Sequence, residues 1–407
     1  MAHQHPVGGR PARRASRWAK GLAKYSAVGV AGLMVACAGV PSAPPLPAAL
    51  WADLLPAPQA AAPLPDPAQA LALSPAMQAF LHQSIMPLAR DVGRRDAMLK
   101  ALFEPGLLRL DYDSSRTRSA AEAFEARAGN CLSLVLMTAA FAQALDLKVS
   151  FQRVDSESSW SLSGDYEAYS GHVNLVLGGG ATRTAGNRWD TRVVIDFLPP
   201  EDLVGLRSML IDQPTVLAMF ANNRAAEALS AGRVDEAAAW SQASLRQAPQ
   251  LVPAWNTAGL VHRQRGDAGR AERAWAHALA ADPDNTRVLA NLAGLLEAQG
   301  RGREAATLHA RLTRLEPVAP FTWFRRGQAA MAQGRWAAAR DAFARELARD
   351  PHYHAFHAWM AQAQAQLGNM AAVRRHLALA RETSATPQQQ ALYGAKLDRL
   401  QAPRHLQ

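Results

Sequence analysis

Glycine returns at positions 232, 266, 300, 334 and 368, 34 residues apart each time, and proline keeps the same interval at 249, 283, 317 and 351. A fixed period of this length means one supersecondary unit stacked on copies of itself, because a lone unit cannot bury its apolar face. Small residues recur in phase at Ala237, Ala271, Ala305 and Ala339, and large ones at Trp255, Leu289 and Trp323. Each position has a physical job in a helix–turn–helix. Glycine ends the first helix, alanine lets the two helices approach, the large residue fills the groove between units, and proline closes the second helix.

These residues resemble the tetratricopeptide repeat. The resemblance implies an all-α solenoid of five units over residues 218–387, a module that holds a protein or peptide partner. Ala221 stands where the first unit would carry an aromatic, and His357 and Val373 occupy the last unit's positions, as suits atypical ends of an array. Trp255, Trp275 and Trp323 are expected in the repeat core. His352, His354 and His357 are close in sequence, but no further ligand accompanies them, so packing is expected there and no metal site.

The chain has 407 residues, enough for two folded units at roughly 150 residues per domain. Its formal charge of +10 owes six units to Arg10, Arg13, Arg14, Arg17, Lys20 and Lys24, all ahead of the first acidic residue, Asp53. The remainder is mildly basic without a cationic stripe, which argues against nucleic acid. Those six cations read as the start of an export signal over 1–36, followed by a short apolar run from Tyr25 to Ala36 that is too brief to span a bilayer. Leu33-Met34-Val35-Ala36-Cys37 resembles a bacterial lipoprotein lipobox, with Met34 in place of the commoner leucine. The resemblance implies acylation of Cys37, a membrane anchor, and, with Ala38 next, sorting to the outer membrane of a Gram-negative cell, in the periplasm. Prolines at 41, 44, 45, 47, 56, 58, 63, 65 and 67 make residues 37–69 an extended tether.

Residues 70–212 form the first unit. Helical patterning gives way to β-like runs at Gly171–Leu177 and Arg192–Leu198, which makes it α+β. Cys131 is the one cysteine besides Cys37. A lone thiol in an exported protein is a liability unless it is buried or used. Gly129 and Asn130 are poor inside a helix but good at its entry, and apolar spacing continues from Cys131 to Leu145, so the thiol falls on a first turn at the positive end of a helix dipole. A nucleophilic cysteine also needs an imidazole and a group to orient it. His172, in Gly171-His172-Val173-Asn174, is the one histidine between His82 and His262, and Asp196 sits between Ile195 and Phe197, where a carboxylate needs a partner.

Cys131 on a helix start, His172 on one strand and Asp196 on a later one resemble the transglutaminase-like superfamily, whose fold is papain-like, over roughly residues 90–205. The resemblance implies Cys131 as nucleophile, His172 as general base and Asp196 as the orienting acid, in acyl transfer at amides. Ser133 and Asn174 depart from the aspartate and the aromatic that many members carry there. The Cys131 backbone N–H is expected to donate to an oxyanion, with Asn130 or Trp160 as a weaker second donor. No Gly-rich phosphate loop follows a strand, and the chemistry requires no cofactor. Two functions compete: a membrane-tethered cysteine-dependent peptide or isopeptide amide hydrolase or acyl transferase whose repeats hold a protein substrate, and a non-catalytic envelope scaffold with a degenerate first unit.

Overall fold

The computed structural model describes residues 51, 53–57, 65–104, 108, 110–155, 160–163, 166–169, 172–178, 182–184, 187–189, 192–197, 206–384 and 386–401. The export signal, Cys37, most of the tether, and Gly179 and Gly180 after the Gly171–Leu177 run in sequence lie outside the described residues. Among the described residues no helix is long and apolar enough to cross a membrane.

A short 3-10 turn over Pro67–Leu71, capped by Asp66, leads into helices α1 (Pro75–Phe80), α2 (Met86–Val92) and α3 (Arg94–Phe103). Strand β1 (Asp111–Tyr112) pairs in parallel with β2 (Ala128–Gly129) around α4 (Ala120–Ala126). Ser119 and Glu122 cap α4 reciprocally, each side chain accepting the other's backbone N–H. Helix α5 (Cys131–Ala144) is buried on every side from Cys131 to Ala142, which its nearly continuous apolar sequence requires of a central helix.

Across α5 lies an antiparallel sheet in the order β10-β3-β6-β9, formed by β3 (Val149–Asp155), β6 (His172–Leu177), β9 (Val193–Ile195) and β10 (Arg207–Ile211). Two hairpins, β4 (Trp160–Ser163) with β5 (Tyr166–Tyr169) and β7 (Thr182–Thr184) with β8 (Asn187–Trp189), sit in its connections. The central strand β6 is buried throughout. Its register sets Val154 of β3 opposite His172, and Leu175 opposite Ile195 of β9.

Ten helices then form five antiparallel pairs: α6 (Gln213–Ser230) with α7 (Val234–Gln247), α8 (Val252–Gln264) with α9 (Ala268–Ala281), α10 (Thr286–Ala298) with α11 (Gly302–Leu315), α12 (Thr322–Ala332) with α13 (Trp336–Arg349), and α14 (His354–Gln366) with α15 (Met370–Glu382). Helix α16 (Pro387–Gln401) covers the open end. The five periodic glycines stand in the inter-helix turns with φ between 70° and 78°, a left-handed conformation that costs glycine little. At Gly259 and Gly327 the constraint is contact, since a Cβ there would collide with the Trp275 and Phe343 rings.

The array is not a separate body. Val216, Leu217 and Phe220 of α6 belong to the same core as Phe141, Leu175 and Ile195. Two expectations change here. Trp323 is half-exposed, stacked between Arg326 at 4.6 Å and Arg345 at 4.2 Å, whereas Trp255 is 1% exposed. The reason is local: α12 starts at Thr322 after Phe321, whose φ is 57°, and Phe321 and Phe324 take the core positions instead. The second concerns the tether, of which residues 51 and 53–57 are packed against the second repeat.

Candidate active site

Asn130 makes the cysteine helix begin where it does. It adopts extended backbone angles, and its Oδ1 accepts the Ser133 backbone N–H at 2.9 Å and the Ser133 hydroxyl at 2.8 Å. Its Nδ2 donates to Thr117 Oγ1 at 2.9 Å. The side chain expected as a second oxyanion donor is thus engaged in the cap. Ser133, one of the two departures from the family pattern, also accepts the Arg118 backbone N–H at 2.8 Å, which ties the loop before α4 to the helix start. Gly129 is required beside it, because a Cβ there would press on Ser133 Cβ at 2.7 Å.

Cys131 therefore occupies the first position of the helix, 6% exposed, as a free thiol. His172 opens β6, 3% exposed, and its ring neighbours the Cys131 side chain. The antiparallel register that sets Leu175 opposite Ile195 brings Asp196 level with Asn174. Residues 172 and 174 share a face of the strand, so both reach the same carboxylate. His172 Nε2 lies 2.7 Å from Asp196 Oδ1, and Asn174 Nδ2 donates to Asp196 Oδ2 at 2.9 Å. Asn174, the second departure, thus holds the carboxylate that orients the histidine, while its own Oδ1 is buried without a partner among the described residues.

With Nε2–H donating to Asp196, the ring's Nδ1 is the nitrogen left for Cys131. In the neutral ring that tautomer puts a lone pair beside the thiol, as a base requires; below its pKa the ring carries a proton on both nitrogens. Burial alone would push the His172 pKa down. The hydrogen bond to Asp196, followed by the interaction with Cys131, outweighs it and raises it to about 9.

Nothing in the sequence pattern around Tyr112 singles it out. Strand β1 sets it opposite Gly129, next to Cys131. Burial, followed by the neighbouring Cys131, holds the phenol above its ordinary pKa, so it stays neutral and keeps an O–H to donate beside the sulfur. The side chain of Trp160 lies outside what the structure describes.

Among the described residues no group of three or more His, Cys, Asp and Glu side chains is arranged to hold a metal. In the last repeat His357 Nδ1 meets His376 Nδ1 at 3.1 Å and its Nε2 donates to the Pro351 carbonyl at 2.8 Å, while His354 Nδ1 meets Tyr393 Oη at 3.1 Å.

Family models for the tetratricopeptide repeat match residues 262–320 and 320–353, so this stretch consists of such repeats. No curated protein matches the chain. Similar solved structures include a protein from the functional characterization of pilF of Pseudomonas aeruginosa, at 20% identity and TM-score 0.27 over 46% of this chain and 85% of that one. YrrB, described as a TPR protein with an unusual peptide-binding site, matches at 20% identity and TM-score 0.24, covering 44% of this chain and 92% of its own. MamA matches at 15% identity and TM-score 0.23, over 43% and 94%. The helical array follows from the repeat pattern and from the helices themselves, and its class of module binds other proteins.

Proposed function

We propose that residues 70–212 form a transglutaminase-like, papain-like cysteine amidase or acyl transferase, exported and tethered to the cell envelope by a lipid on Cys37, and that the repeats hold its protein substrate. The observation that carries this reading is the relay from Cys131 through His172 to Asp196, assembled from a helix start and two neighbouring strands.

In this reading the neutral form of the His172 ring takes the Cys131 proton at Nδ1 as Sγ bonds to a substrate carbonyl carbon. The tetrahedral oxyanion collapses as the C–N bond breaks, and His172 returns the proton to the leaving amine. The thioester left on Cys131 is then cleaved by water, which gives one proton to His172 and its hydroxyl to the acyl carbon, and the thiol is regenerated as the acid leaves. Asp196 keeps the ring in the working tautomer and stabilises the imidazolium throughout. Tyr112 would donate its O–H to the oxyanion as it forms.

The scaffold reading draws on one observation, the burial of Cys131 to 6% exposure. Iodoacetamide at neutral pH separates the two. An active cysteine is alkylated in the folded chain, as read by intact mass, and His172→Ala abolishes that reaction. A Cys131 that reacts only after denaturation would leave the scaffold.

A further inference from the structure

The described residues from 51 to 57 do not behave as a plain tether. Leu55 N–H donates to the Trp51 carbonyl at 3.1 Å, closing a single turn. Trp51 meets Trp255 edge-on at 6.1 Å between ring centroids, and Leu54 and Leu55 are 1% and 7% exposed within the core of the second repeat. Polar contacts fix the backbone and its direction. His262 Nε2 donates to the Leu54 carbonyl at 3.0 Å, and Arg265 Nη1 to the Ala57 carbonyl at 2.7 Å. Asp53 is clasped by Arg270 at 3.2 Å and Arg273 at 2.6 Å. Pattern, direction and charge are each specified, as in recognition of a short peptide.

We propose that this seam on α8 and α9 is a peptide-binding site whose resident ligand is the chain's own Trp51–Ala57 segment. The site takes segments of the same chemistry, an aromatic, an acid two residues on and two leucines directly after it, by displacing the resident. Its ion pairs are exposed to solvent at about half of each arginine side chain, so the resident is held in an exchangeable way. The proposal goes beyond the catalytic reading and does not depend on it.

The probe is a fluorescein-labelled peptide of residues 50–58, followed by anisotropy with the full chain. In the wild type the tethered copy competes at an effective concentration on the order of millimolar. A chain carrying Trp51→Ala, Leu54→Asp and Leu55→Asp releases that copy and should bind the peptide at least about tenfold tighter. Adding Arg270→Glu and Arg273→Glu to it should abolish the gain, and a peptide with Asp53→Lys should recover it. Equal affinity of wild-type and released chains overturns the proposal, as does no binding to a released chain whose helical signal matches the wild type. Should the triple variant lose helix, Asp53→Lys in the chain is used alone. It must then bind the wild-type peptide at least about threefold tighter than the wild-type chain does, and no gain again refutes the idea. Iodoacetamide labelling of Cys131 in the same samples reads the catalytic proposal separately.

Discussion

At the scale of single residues, the informative pair is His172 and Asp196. Both carried sequence signals: one histidine in a long interval, and a carboxylate set in an apolar run. Their partner Asn174 carried none, because an amide's role in holding a carboxylate depends on strand register, which the sequence does not show. The pair also gives a signed pH dependence. The folded pKa of His172, about 9, lies above the ordinary 6.5. Its stabilising contribution is therefore fully present below about pH 6.5 and is lost as pH rises through about 9. The melting temperature should fall across that window in the wild type, and Asp196→Asn should flatten the fall. The same substitution should move the inflection near pH 9 in the Cys131 alkylation profile at least about one pH unit lower. An inflection that stays in place would mean Asp196 does not act on His172.

Among elements, legibility followed how local each element's cause is. The repeat helices could be read because every 34 residues one position does one job. The start of α5 could be read because Asn130 caps it through a hydrogen bond three residues away. Strand β10 escaped notice, since Arg207 to Leu210 are exposed and no alternation marks it. The late start of α12 also escaped, and it separates two tryptophans that the period treats as equivalents. Trp255 is buried and donates its Nε1–H to the Pro249 carbonyl at 2.7 Å. Trp323 has lost that place to Phe321 and Phe324 and lies along a cavity of about 440 Å³ with Arg326, Arg335 and Arg345. Trp255→Ala should destabilise the array by about 3–5 kcal/mol. Trp323→Ala removes a half-exposed ring and two exposed cation–π contacts, for a loss of about 1–2 kcal/mol. Urea midpoints read from helical circular dichroism check the order, and equal shifts would put both rings in the core.

For the molecule as a whole, the array and the candidate site are coupled through residues no motif contains. Thr117 is 2% exposed and held from α6: its N–H donates to Glu227 at 2.6 Å, its hydroxyl accepts from Asn223 at 3.3 Å, and its carbonyl from Arg224 at 3.4 Å. The same hydroxyl receives the Asn130 amide, and Asn130 caps the Cys131 helix. More than a hundred residues separate Thr117 from Glu227, so only the fold reveals the connection. If the repeats set the nucleophile's position, Glu227→Ala should do two things. It should cost about 1–3 kcal/mol by orphaning a buried N–H. It should also slow Cys131 alkylation between roughly 3- and 100-fold, the range expected when a reacting group shifts by up to an ångström. Glu227→Gln keeps an acceptor and should stay near the wild type in both. A Glu227→Ala chain that melts early but alkylates at the wild-type rate would mean α6 braces the fold without setting the thiol.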